Sequence, residues 1–270
     1  MSVHILDTIV FGPFPDLFPL KHARIGWRNI MRNGDVSVSS TATSFSALAL
    51  ENNFTNEAWR SDGVDGTITV DAGSATNVDY VGIAAHNLGD TQHAIEVQYS
   101  FDDSTWVTVD DFTVPDNSPI MALFSRISAR YWRVRFVGGN EPPQVAILYI
   151  GEALAMQRPI YGGHGPVTLN RSISKQSSIT ESGQFIGNIV KRRGQTTTYD
   201  WSNLSADWYR ENFDPFAEYS LSAPFFIAWR PADHPDEVAF AMATDQPRPQ
   251  NQGVRDLMSV SMQVRGLVTL

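Results

Sequence analysis

The sequence predicts an all-β chain: a sandwich or jelly roll over residues 24–152, then a second β-rich unit over 153–270 with one short helix. Three observations predict it. Short runs alternate apolar and polar residues with period two, and glycines punctuate the first half at short intervals. Charge also divides near residue 152. Residues 24–152 hold 16 acidic and 8 basic side chains, whereas 153–270 hold 11 of each. The length of 270 residues suits two domains. A hydrophobic content of 42% against 18% charged supplies a core and excludes disorder.

Residues 1–23 read as a strand over 4–11 and then an arm broken by Pro13, Pro15 and Pro19. Phe11, Phe14, Leu17 and Phe18 are unfavourable in water, so the arm is expected to pack on the second unit or on a neighbouring subunit. The strand is expected to complete the second unit's sheet. From residue 24 the strand runs are 67–71, 80–84, 94–100, 106–109 and 131–137. Ile95, Val97 and Tyr99 face one way, and Glu96 and Gln98 the other. Many short strands at this spacing indicate a sandwich or jelly roll.

In the second unit, residues 166–174 alternate, as do 225–230, and 238–242 follow a Pro- and Asp-rich loop. The last strand, 258–268, sets Met258, Val260, Met262 and Val264 against Ser259, Ser261, Gln263 and Arg265. A helix is predicted over 206–213. Ser205 is its cap, Leu204 and Tyr209 form a hydrophobic staple, and Pro215 ends or kinks it.

Cysteine is absent, which removes disulfides, thiolate metal sites and cysteine nucleophiles and fits assembly in a reducing cytoplasm. No apolar run reaches the roughly eighteen residues of a membrane span, and Met1 to Leu20 lacks the pattern of a secretory leader. A net charge of −9 without a basic stripe argues against nucleic-acid binding. His4, His22, His86, His93, His164 and His234 are scattered singly, so no metal site is expected. The acidic pairs at 102–103, 110–111 and 236–237 sit in turns or on opposite strand faces. Neither arrangement makes a glycosidase pair, and no catalytic residue is expected. The segment YGGHGP reads as a connector rather than a phosphate loop. Lys191, Arg192 and Arg193 either meet an acidic neighbour across a subunit boundary or form a solvated hairpin turn.

Four segments of 24–152 occur in the order of a known family: NNFTNEAWR (53–60 at its core), GTITVDAG (66–73), EVQYSFDDSTWVTV (96–109) and ARYWRVRF (129–136). On them the region resembles a discoidin domain, a galactose-binding-like jelly roll. Ala72 departs from the usual Leu, and the cysteine pair of many secreted members is missing. Trp59, Trp106 and Trp132 are expected in the core. The resemblance implies binding by loops at one end, where Asn56, Arg60, Asp62, His86, Asn87 and Asn140 offer donors and acceptors for sugar hydroxyls; the alternative is that they are ordinary turn residues. It implies no cofactor beyond a calcium ion held by backbone carbonyls, which leave no sequence mark.

GEALAMQRP (151–159), GQFIGNIVKRRG (183–194) and PFFIAWRP (224–231) resemble tail-tip proteins of long-tailed phages. In that group an all-β ring-forming domain of the distal-tail type carries a carbohydrate-binding-like module. The implied role is a virion structural protein, assembled in the host cytoplasm as a hexameric or trimeric ring. Its partners would be copies of itself, tail tube, hub or baseplate proteins, and host-surface glycans. A lectin as the main role, or a glycosidase with an accessory module, are the alternatives.

Overall fold

The computed structural model describes residues 3–5, 18–160 and 162–267. In chain order the strands are β1 (Val3–Ile5), β2 (Arg24–Gly26), β3 (Asp35–Val38), β4 (Trp59–Arg60), β5 (Gly66–His86), β6 (Ala94–Ser100), β7 (Val107–Thr113), β8 (Ile120–Val137) and β9 (Gln144–Gly151). They continue with β10 (Leu154–Ala155), β11 (Arg171–Ile179), β12 (Phe185–Ser205), β13 (Phe225–Ala228), β14 (Val238–Ala243), β15 (Arg248–Asn251) and β16 (Leu257–Gly266). Between β12 and β13 lie α1 (Ala206–Trp208) and α2 (Asp214–Ser220). The all-β expectation with one helical segment holds.

The two long strands β5 and β8 build the jelly roll by serving both of its leaves. Residues 66–71 of β5 pair with β3 and with 131–136 of β8, whereas 80–86 pair with β9 and with 120–123 of β8. Register slips after Asp71 and after Val78 mark the corner. The front leaf is therefore β3-β5-β8-β6-β7 and the back leaf β4-β9-β5-β8. Ile68, Val70, Trp132, Val134 and Phe136 from the front meet Val81, Ile83, Ile120, Leu148 and Ile150 from the back in one core. Trp59 and Trp132 are fully buried. Trp106 departs from expectation. It precedes β7 and lies half-exposed outside the leaf, with the Arg133 guanidinium 4.0 Å from its ring centroid.

The second sheet runs β10-β2-β13-β14-β16-β12-β11, with β15 on β16. Arg24–Gly26 thus belongs to this sheet, ahead of the jelly roll. β16 buries Val260, Met262 and Val264 as its alternation predicts. The helix outruns its predicted end and continues to Ser220. Pro215 falls in the first turn of α2, where no N–H is needed, after a π-type turn in which the Asp214 N–H reaches the Tyr209 carbonyl. Ser205 stands at the cap without a capping bond, because its hydroxyl accepts from Gln157 Nε2 at 3.0 Å.

The outer face of the back leaf is not solvent-exposed. Tyr80, Ala84, Met121, Leu123, Ile147 and Tyr149 pack against Phe226, Ala228, Val238 and Phe240 of the second sheet. Phe225 and Ile227 point the other way, towards Phe213 and Phe216 of the helical segment. Burial on both faces explains why 80–84, 145–150 and 225–228 read as nearly continuous apolar runs. Close approach needs glycine. A Cβ on Gly82 would stand 2.6 Å from Phe226 Cδ2, and one on Gly26 would stand 2.3 Å from Tyr80 Cε2. The Tyr80 hydroxyl donates to the Arg28 carbonyl at 2.6 Å across the same junction.

β1 differs from its expected place. It pairs in parallel with β8, Val3 opposite Met121 and Ile5 opposite Leu123, so it extends the back leaf rather than the second sheet. That edge of β8 otherwise has open hydrogen-bonding groups, which a strand satisfies. Phe11, Phe14 and Leu17, expected at an oligomer interface, lie outside the described residues.

Truncating Phe226 to Ala should leave a cavity where both units meet and cost about 3–5 kcal/mol in chemical denaturation of the full chain. A loss under about 1 kcal/mol would mean the contact carries little of the packing.

Candidate functional site

The loops at one end of the jelly roll are tied together by backbone-directed bonds. Ser61 N donates to Pro143 O at 3.1 Å, and its hydroxyl donates to Asp65 O at 2.7 Å. Gly138 N donates to Asp65 Oδ1 at 2.9 Å, and Asn140 N to Thr91 O at 3.0 Å. His93, fully buried, bonds Val64 O through Nε2 at 2.9 Å, and a Cβ on Gly139 would stand 2.2 Å from its ring. Three chain segments, 61–65, 91–93 and 138–143, thereby form one surface.

The six expected residues divide by what their side chains do. Asn87 donates to Pro142 O at 3.1 Å and accepts from Gln144 N at 2.7 Å, so its amide staples two loops. His86 is buried, with Nε2 on Ser118 O at 3.0 Å and Nδ1 accepting from Leu88 N at 3.2 Å. Burial lowers its pKa to about 4, which keeps the ring neutral. Both residues hold the frame.

Arg60, Asp62 and Asn140 reach the surface of the same loop cluster. Arg60 stands 3.9 Å from Glu141 Oε2, and its guanidinium lies 5.9 Å from the Phe45 ring centroid. Asn56 is exposed in a separate turn. This turn is held by Asn52 Nδ2 donating to Glu57 Oε2 at 2.9 Å and by the Tyr149 hydroxyl donating to Asn53 Oδ1 at 2.7 Å, at the junction rather than at the Arg60–Glu141 pair. Sequence reasoning missed Phe45 and Glu141. An aromatic ring inside the loop STATSFS, where turns take small polar residues, was the available signal.

The expected interface residues also separate. Phe18 is half-buried within its own chain, stacked on His22 and edge-on to Trp208. Lys191 and Arg193 are exposed, but mid-strand on β12 and not at a turn; the turn is at 180–184. Among the described residues no group of three or more His, Asp or Glu side chains is placed to hold a metal ion.

A second concavity lies between the units. About 350 Å³ in volume, it is lined by Arg24, Arg28, Asp79, Arg126, Glu152, Trp27 and Trp208 among others. Arg126 bridges Asp79 at 3.6 Å and Glu152 at 2.5 Å, and Glu152 also holds Arg28 at 2.5 Å. Asp79 accepts from Ala153 N at 2.7 Å. Its burial outweighs these partners and raises its pKa to about 6. Burial likewise lowers Arg24 to about 10. These residues span positions 24–152, so no local pattern announces the cluster.

Because the folded-state pKa of Asp79 is raised, its proton is bound more tightly in the native protein than in the unfolded chain. Its contribution to stability therefore grows as pH falls through about 6 towards 4 and is absent well above 6. Asp79→Asn, which keeps an acceptor for Ala153 N, should be at least as stable as the parent at pH 7.5. It should lose that relative advantage by pH 4.5 in denaturation midpoints. A parent advantage that grows with pH would contradict this assignment.

Residues 35–148 match the family model of the F5/8 type C domain. No curated protein matches the chain. Among solved structures it is similar to chitosan-binding module 1 from a chitosanase/glucanase of Paenibacillus sp. IK-5. That match has 21% identity, 46% of this chain and 97% of that one covered, and a TM-score of 0.40. It is also similar to the module CpGH89CBM32-5 of Clostridium perfringens, in complex with GalNAc-β-1,3-galactose, at 13% identity, 45% and 97% coverage and a TM-score of 0.41. A third is the CBM32 of AlyQ in complex with 4,5-unsaturated mannuronic acid, at 21% identity, 43% and 92% coverage and a TM-score of 0.38. The part of the chain that matches the F5/8 type C model is the jelly roll that β3 opens and β9 closes.

Proposed function

We propose that this protein binds glycans non-enzymatically through the loop end of its F5/8 type C domain, as part of a phage tail tip in which the second unit forms a symmetric ring. The observation that carries the binding role is the division of labour at the loop end. Asn87, His86 and His93 are committed to holding the loops, while Arg60, Asp62, Asn140 and Glu141 present planar donors and acceptors to solvent, Arg60 lying 5.9 Å from the Phe45 ring centroid and 3.9 Å from Glu141. A frame fixed before the ligand arrives lowers the entropic cost of binding, and sugars need this mixture of hydrogen-bonding edges and an apolar ring face.

The tail-tip role is supported by the resemblance of the segments that become β12 and β13. The protein would act in the virion, assembled in the host cytoplasm, with copies of itself and tail tube, hub or baseplate proteins as partners. No catalysis is assigned. The Asp102 carboxylate accepts from Ser104 N and Thr105 N at 3.0 and 2.8 Å, which holds its pKa far below the usual range and commits it to its own turn. Each weak sugar site would gain from the multivalency of a ring.

A glycan array probed with the full chain should show saturable binding; the panel should include chito-oligosaccharides, β-galactosides and uronate-terminated oligomers. Arg60→Ala and Glu141→Ala should each weaken it about tenfold or more, and Asn56→Ala should leave it unchanged. Silence across the array, or binding indifferent to Arg60 and Glu141, would refute the site.

A further inference from the structure

The two-stranded hairpin formed by β11 and the first half of β12 stands clear of the body. β12 pairs with β16 only from Gln195 onward, so residues 171–194 have no third strand among the described residues. Every residue of β11 is exposed. So are Phe185 at 66%, Ile186 at 66%, Ile189 at 68% and Val190 at 47%, together with Ile173 at 59% and Ile179 at 61%. Isolated surface apolar residues need no explanation, but a ladder of them does.

The register sorts these side chains. Ile173 lies opposite Arg193, Lys175 opposite Val190, and Ile179 opposite Phe185, so one face carries four large apolar residues and three cations, counting Arg171. The other face carries Ser172, Ser174, Gln176, Ser178, Gly187 and Ile189. Lys191 is the extra residue at the slip between Ser174 and Lys175. The turn beyond is polar, and its one charge is Glu181.

A surface of opposite sign exists on the same molecule. The helical segment exposes Asp207, Glu211, Asp214 and Glu218, at spacings of four, three and four, against the single cation Arg210. We infer that the apolar, basic face of the hairpin docks on the acidic helical surface of a second copy of this chain. This inference rests on the ring reading above and names its contact. Because hairpin and helix are different surfaces, the contact is head-to-tail, and repetition closes a ring or extends a filament. Insertion into an anionic bilayer fits less well, because the apolar residues run along the shaft while the tip is polar and acidic.

Light scattering after size-exclusion chromatography of the full chain tests this. The parent should be a multimer. Phe185→Ser with Val190→Ser, and separately Lys175→Glu with Arg193→Glu, should shift it to the mass of one chain that still unfolds cooperatively, its melting temperature no longer depending on protein concentration. Adding Glu211→Lys and Glu218→Lys to the second variant should restore the multimer. A parent of single-chain mass at every concentration, variants that keep their mass, a charge swap that restores nothing, or a monomer that instead sediments with anionic vesicles would each overturn the inference. Glycan binding per chain should persist in the monomeric variants. Lost assembly with retained binding, or the reverse, therefore tells which of the two proposals fails.

Discussion

The structure depends on one shared wall. The back leaf of the jelly roll hides one face in its own core and the other against the second sheet, and β13 with the first half of β14 is buried on both sides in turn. Phe226 occupies the space that a side chain at position 82 would need. Neither unit could show this wall to water cheaply, since Tyr80, Met121, Ile147, Tyr149, Phe226 and Phe240 would all be exposed at once. The chain has no disulfide to hold the halves together, so packing does it.

This wall sets where function can reside. It removes the back leaf from the surface, and the loop end and the hairpin are among the places where side chains still face outward. At the wall's margin the charges of Arg24, Arg28, Asp79, Arg126 and Glu152 are brought together from both units. Partly buried ion networks of this kind carry a desolvation cost, and the raised pKa of Asp79 is its local signature.

Much of the fold was legible because period two is a direct imprint of the pleat. Residues 94–100 form the predicted strand, and β16 buries the predicted Met and Val stripe. The wall was not legible as such. Residues 80–84 and 145–150 are apolar on both faces, and such a run states that it is buried without saying against what. The helix end was misjudged because a π-type turn absorbs the missing N–H of Pro215. Trp106 was misplaced because propensity cannot say which face of a leaf a flanking residue takes. At the loop end, residue type alone could not separate Asn87, whose amide is satisfied by backbone, from Asn140, whose side chain is exposed; only the fold does so. The hairpin's isolation is a property of pairing, which alternation in one strand does not contain.

Hydrogen exchange of the full chain, followed peptide by peptide, tests the shared wall most directly. If the wall joins the units into one cooperative body, amides of β5, β9, β13 and β14 should exchange with one common protection and one common dependence on denaturant, while 171–190 exchange far faster. Protection of β13 and β14 that collapses while β5 and β9 stay closed would show two independent domains and contradict the account.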